Sequence, residues 1–351
     1  MKTKKPMSLA LQGGGSHGAF TWGVLDRLLE DERIAIEGIS GASAGSMNAV
    51  ALAHGFAVGG RDGARQALKD FWDAVASKTP FAAMNEVPAT LIPAGADMSP
   101  SGSVKALVSM ARYFSPYQLN PLDINPLRDI LAKQIDFDRM CAQGTIKLFI
   151  AATEIRTGRL RLFREDELTL EALLASACLP TMHRPIEIDG EAYWDGGLSA
   201  NPPLFPLVHQ CNARDVMVVL LHPSRRPELP GTADEIWQRL TEISFTSAFF
   251  AEFNGLVLAK QEAARARFGF GALERKLRAL NLHVIENEQL MAQLSVYSKL
   301  NVQPAFIDAL CEHGRSRADG WLKWKFSFVG SRSSVRLGRF LPALQRLGGA
   351  R

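Results

Sequence analysis

The chain has 351 residues, 47% of them hydrophobic and 22% charged, with a formal net charge of +4. That length suits one large α/β domain or two small ones, and the composition excludes a long disordered or fibrous protein. Four scattered cysteines (Cys141, Cys178, Cys211 and Cys311) have no Cys-x-x-Cys spacing, so they read as reduced thiols and not as a disulfide framework or zinc site.

In chain order, residues 7–11 are a short apolar run ending in Gln12 and three glycines, the pattern of a buried strand entering a tight loop. Residues 17–29 carry apolar positions at Phe20, Val24, Leu25, Leu28 and Leu29, the spacing of a helix with one buried face. A second strand is expected at 34–39, a helix at 43–56 and another at 63–77. This alternation predicts parallel strands with crossover helices. Residues 79–125 hold six prolines and read as an irregular, lid-like insertion with one short helix near 104–113. Regular structure resumes with a helix at 126–134, a strand at 146–153, a hairpin through Thr157-Gly158 to a strand at 160–163, and a helix at 168–178. Asp189-Gly190 joins short strands at 186–188 and 192–194. A buried strand at 215–221, a mostly helical stretch at 232–268, a strand at 282–285 and a helix at 304–325 complete the chain. The expected organisation is one domain over 1–303, followed by a C-terminal helix and basic tail over 304–351.

Three local features carry chemistry. Gly13-Gly14-Gly15-Ser16-His17-Gly18 follows the first strand, leaving backbone N–H groups uncovered at the start of a helix. Such a loop binds a phosphate or stabilises an oxyanion. Gly41-Ala42-Ser43-Ala44-Gly45 is a G-x-S-x-G between a strand and a helix, where a strained turn exposes a serine hydroxyl. Asp195-Gly196-Gly197 puts a carboxylate directly after a strand, with two glycines that permit close approach to another loop. Each has a common structural explanation alone: a generic glycine loop, a serine helix cap and a turn. Their order is more specific, because strands one and two should end on the same edge of a parallel sheet.

On these residues the chain resembles the patatin-like phospholipases, a family of lipid acyl-hydrolases that use a Ser–Asp dyad. The resemblance covers about 9–221 and includes Ala175-Ser176-Ala177-Cys178-Leu179-Pro180 and Asn201-Pro202-Pro203. It implies a three-layer α/β fold, a mostly parallel central sheet with helices on both faces. It implies Ser43 as nucleophile and Asp195 as base. Gly13, Gly14 and Gly15 form the oxyanion loop, with the Gly14 and Gly15 amides as donors and Gly13 shaping the turn. Gly18, Gly41, Gly45, Gly196 and Gly197 complete the motifs. Phospholipids, lysophospholipids or acylglycerols are the implied substrates, and neither a metal nor a cofactor is expected. The one departure is His17, where the family usually has Arg or Lys.

A Ser–His–Asp triad is the alternative. Its candidates are His209, His222, His283 and His313, with His222 best placed just past an apolar strand. His17 reads as a surface residue at a helix start, with an added oxyanion contact as its other reading, and His54 and His183 as structural. A dinucleotide-binding oxidoreductase would want an acid at the end of strand two, where Ser40-Gly41 stand. A non-catalytic binding module is disfavoured by intact Ser43 and Asp195.

Residues 314–351 hold nine Lys/Arg against Asp319 alone, a net +8. Such a tail attracts anionic lipid or nucleic acid, but no nucleic-acid motif accompanies it, so no nucleic-acid partner is expected. The N-terminal apolar run breaks at Gly13, too short for a signal-peptide core, and no run of eighteen apolar residues occurs. A cytoplasmic location with any membrane contact peripheral is the expectation.

Overall fold

The computed structural model describes residues 4–78, 110–226, 228–265 and 271–340. Eight strands form one sheet: β1 (Lys5–Leu11), β2 (Ile34–Ala42), β3 (Lys147–Glu154), β4 (Leu160–Phe163), β5 (Ile186–Ile188), β6 (Glu191–Asp195), β7 (Asp215–Val219) and β8 (Asn281–Ile285). The order is β5-β6-β3-β2-β1-β7-β8, with β4 also paired to β3. β3-β2-β1-β7-β8 run parallel, while β4 and β6 lie antiparallel to β3.

Side-chain alternation along the strands builds two cores, one on each face. Met7, Leu9, Leu11, Met217 and Val219 point into one; Ala10, Val216, Val218 and Leu220 point into the other. The first core takes α1 (Gly18–Glu30), α2 (Ala44–Lys78) and the helix Pro304–Trp324. The second takes Phe249, Phe253 and Val257 from the helix Ser247–Arg265. This is the α/β sheet with helices on both faces that the motif order implies.

The C-terminal helix lies close against α1. A Cβ on Gly23 would strike the Cys311 carbonyl, and one on Gly314 the Phe20 carbonyl, so only glycine at the crossing lets the backbones approach this far. Trp321 and Phe326 are buried there, while Trp324 is exposed. Arg346 and Arg351 of the basic tail lie outside the described residues.

The helices expected at 43–56 and 63–77 are the two halves of α2, separated by a break at Gly59–Gly60, where the backbone leaves helical geometry and Gly60 has φ 63°. The stretch 232–268 breaks into Ala233–Ser244 and Ser247–Arg265 around Phe245, with no glycine or proline to announce it. Most of the insertion, including 104–109 of the helix expected near 104–113, lies outside the described residues; from Met110 the chain turns into a short helix at Pro116–Leu119. No helix among the described residues is long and apolar enough to cross a membrane.

Candidate active site

Strand pairing alone brings Ser43 and Asp195 to one place. β4 occupies one edge of β3 at Ile150–Thr153. β2 pairs with β3 up to Ala42–Ala151, and β6 begins its own pairing at Asp195–Ala152. Both must therefore share the other edge of β3, end to end. The last residue of β2 and the last of β6 sit one step apart along β3, about 3.3 Å of rise. Ser43 is the next residue after Ala42.

The turn at Ser43 is strained. Its φ is 53°, one of three positive values among non-glycine residues described. A non-glycine residue held there costs of order 1–3 kcal/mol and persists only where its surroundings enforce it. The enforcement is visible. Ser43 N–H donates to the backbone O and the Oγ of Ser176, both at 3.1 Å, and Ser46 Oγ meets Ser176 Oγ at 2.8 Å. A Cβ on Gly45 would enter the Leu11 carbonyl, and one on Gly41 would lie 2.7 Å from Gly45 C. Glycines at 41 and 45 thus let the elbow fold flat against β1.

Asp195 is fully buried. Its N–H donates to Cys178 O at 2.8 Å, and its Oδ1 accepts from Gly197 N–H at 2.8 Å. Residues 176–178 therefore hold both the elbow and the acid. Gly196 passes over the Ala151 carbonyl, and a Cβ on Gly197 would lie 2.6 Å from the Phe245 ring, so each position admits only glycine. Burial pushes the Asp195 carboxyl up to about 7. The Gly197 amide, the Ser43 hydroxyl and the Lys299 charge pull it back down. The Ser43 contact is a loose one: Oδ2 has no hydrogen bond of normal geometry. Catalytic hydrogen bonds are often long before substrate binds.

The glycine loop completes the site. A Cβ on Gly13 would lie 2.6 Å from Ala42 O and 2.8 Å from Ser43 Cβ, so this loop rests directly on the elbow. Gly13 N–H is not a free donor; it gives its hydrogen to Asn201 Oδ1 at 2.6 Å. Asn201 also accepts from Gln12 Nε2 at 3.2 Å and donates to Phe245 O at 3.0 Å, tying the loop to the Asp195 segment. Gly15 has φ 58°, and α1 begins just beyond, at Gly18. Gly18 packs its α-carbon side against Ala44 Cβ and Trp72, joining α1 to α2.

The histidines do other work. Among the described hydrogen bonds, none joins a histidine to Ser43 or Asp195. His222 Nε2 meets Lys299 Nζ at 2.7 Å, and His283 sits between Asp215 Oδ1 and Ser334 Oγ, each at 2.9 Å. His209 and His313 are exposed. His17 corrects the sequence expectation: it is only 3% exposed, with Nε2 2.7 Å from Ser298 Oγ. Among the described residues no group of three or more His, Cys, Asp or Glu side chains is placed to hold a metal ion.

Sequence reasoning missed Lys299, and it quoted Ser176 and Asn201 without giving either a role. Neither clamp has a local signature, since each acts across more than 130 residues of chain.

The sequence model of the patatin-like phospholipases matches residues 9–208, more than half of the chain. Among solved structures, VipD from Legionella pneumophila is 15% identical with a TM-score of 0.42, covering 91% of this chain and 67% of its own. The ExoU–SpcU complex of the Pseudomonas aeruginosa type III secretion system is 14% identical with a TM-score of 0.28, covering 99% of this chain and 60% of its own. No curated protein sequence matches.

Proposed function

The chain belongs to the patatin-like phospholipase family and is a lipid acyl hydrolase, and on that premise we propose that Ser43 is its nucleophile, Asp195 its base and the Gly14 and Gly15 amides its oxyanion donors. The observation that carries this reading is the shared edge of β3, where the end of β2 and the end of β6 meet.

The carboxylate takes the Ser43 proton as the serine oxygen attacks the ester carbonyl. The tetrahedral oxyanion faces the glycine loop, whose Gly14 and Gly15 N–H groups have no acceptor among the hydrogen bonds described. One such donor is worth about 3–4 kcal/mol of transition-state stabilisation. The leaving alcohol takes the proton back from Asp195, giving an acyl-Ser43 ester. Water, deprotonated by Asp195, then attacks that ester, and the proton passes from Asp195 to the departing Ser43 oxygen as the fatty acid is released. An ordinary aspartate is a weak base at neutral pH; one held near 7 by burial matches the operating range.

A lipid surface has a natural approach beside this site. On the helix Ala233–Ser244, Ile236, Trp237, Leu240 and Ile243 are about half exposed, and Phe245 at its end packs on Gly197. Met110, Tyr113 and Phe114 at the end of the insertion are also exposed. Apolar side chains at the surface suit an enzyme working at a bilayer.

Fatty-acid release from phosphatidylcholine, lysophospholipid and acylglycerol vesicles tests the reading. The expected result is release from at least one class, lowered by about 10³-fold or more with Ser43→Ala. Equal release by both proteins, or none from any class and none from p-nitrophenyl esters, contradicts it.

A further inference from the structure

The glycine loop from Gln12 to Gly18 contains no lysine or arginine. His17 cannot supply a charge in their place. Ser298 Oγ donates to Ser295 O at 2.7 Å, so in its bond with His17 it accepts, and the His17 proton sits on Nε2. Burial, with Lys299 and Arg226 adding repulsion, holds the His17 ring down to about 3, so it stays neutral.

A cation reaches the loop from elsewhere. The turn Val296–Leu300 lies against it at two points and reaches it at a third through His222. A Cβ on Gly15 would strike the Lys299 carbonyl and lie 3.3 Å from Lys299 Cβ. His17 bonds Ser298. Lys299 Nζ donates to His222 Nε2 at 2.7 Å, while the His222 backbone N–H donates at 3.0 Å to Gln12 Oε1, next to Gly13. This turn lies outside the 9–208 stretch that the family model matches.

We propose that Lys299 is a positioning residue of the acyl-transfer reaction: pinned to the glycine loop by Gly15 and His222, its ammonium supplies the pocket's positive charge from outside the family-matched segment. The inference rests on the Ser43–Asp195 reading. The ammonium stabilises the ionised Asp195 carboxylate and the oxyanion forming beside the loop. His222 is suited to hold it, because a neutral imidazole accepts the ammonium hydrogen without competing charge. Burial, with repulsion from Lys299 and Arg226, keeps His222 neutral.

The groups around Lys299 set its own titration. Burial, first, and the like charge of Arg226 bring it down, while Glu242 and Asp195 hold it up, leaving it at about 8. Arg226 is itself committed, to Glu242 at 2.8 Å and to Ala292 O at 2.6 Å. The kcat/KM profile should therefore be a narrow bell, rising as Asp195 ionises near 7 and falling as Lys299 neutralises near 8.

The test is kcat/KM of a soluble p-nitrophenyl ester from pH 5 to 10, for wild type, Lys299→Arg and Lys299→Met. Arginine does not titrate in this range. In Lys299→Arg the alkaline limb should vanish while activity near pH 7 stays within about tenfold. In Lys299→Met, activity at pH 7 should fall about 10–100-fold and the acidic limb move up by about one pH unit. An unchanged alkaline limb in Lys299→Arg, which needs no information from the Met variant, overturns the proposal. So does a folded Lys299→Met protein with the wild-type profile. Ester turnover by the wild type, and its loss in Ser43→Ala, tests the underlying reading separately.

Discussion

Ser43→Ala and Asp195→Asn are each expected to lower kcat/KM on a p-nitrophenyl ester by about 10³–10⁴-fold or more, and the double variant should be little worse than either single one. Without the hydroxyl there is no acyl-enzyme. Without the carboxylate the serine loses its proposed base, and no described hydrogen bond brings a histidine to Ser43 to replace it. On the proposed mechanism the two residues act in one step, so their losses do not add. A residual rate above water should persist in both, because the Gly14 and Gly15 amides are untouched. Steady-state kinetics on the purified single and double variants checks this. A double variant that loses the product of the two single losses argues against a shared step.

The same substitution at Asp195 should stabilise the protein, with a defined pH dependence. An unfolded aspartate has a pKa near 3.8, and burial raises the folded value to about 7. Between those values the native state holds a proton that the unfolded chain has lost. Stability therefore falls as pH rises from about 4 to about 7, and stays low above. The full penalty is roughly 4 kcal/mol at 1.36 kcal/mol per pH unit. Asparagine carries no charge and keeps an oxygen for the Gly197 amide, so it escapes this cost. Urea unfolding should find Asp195→Asn gaining on the wild type as pH rises from 4.5 to 8.5, by a few kcal/mol. Parallel pH curves for the two proteins would mean that the carboxylate is not buried as described. A carboxylate kept dry, as the proposed base is, is thus a source of instability, as functional sites commonly are.

The parts of this site that could be read from sequence are those with local causes. Residues 9–11 and 216–221 are apolar throughout because their strands are covered on both faces, and that pattern marks buried parallel strands. Ser43 and Asp195 stood out because backbone that turns sharply or passes close to another chain leaves glycines beside it. Gly45 against Leu11 and Gly196 against Ala151 are the physical content of those two motifs.

What could not be read depends on chain brought from far away. Asn201 holds Gly13 across 188 positions, and Ser298 meets His17 across 281. Nothing near His17 signals that a turn carrying Lys299 will cover it, so a helix-start histidine reads as a surface one. The break at Phe245 has the same origin: the helix ends there with Phe245 packed on Gly197, and no local breaker residue announces it.

Covalent trapping tests the central claim most directly. The native protein is treated with a fluorophosphonate, and the modified residue is mapped by mass spectrometry. The account predicts one adduct per chain, on Ser43, formed far more slowly in folded Asp195→Asn protein. An adduct on another residue, or equally fast labelling of Ser43 without the carboxylate, contradicts it.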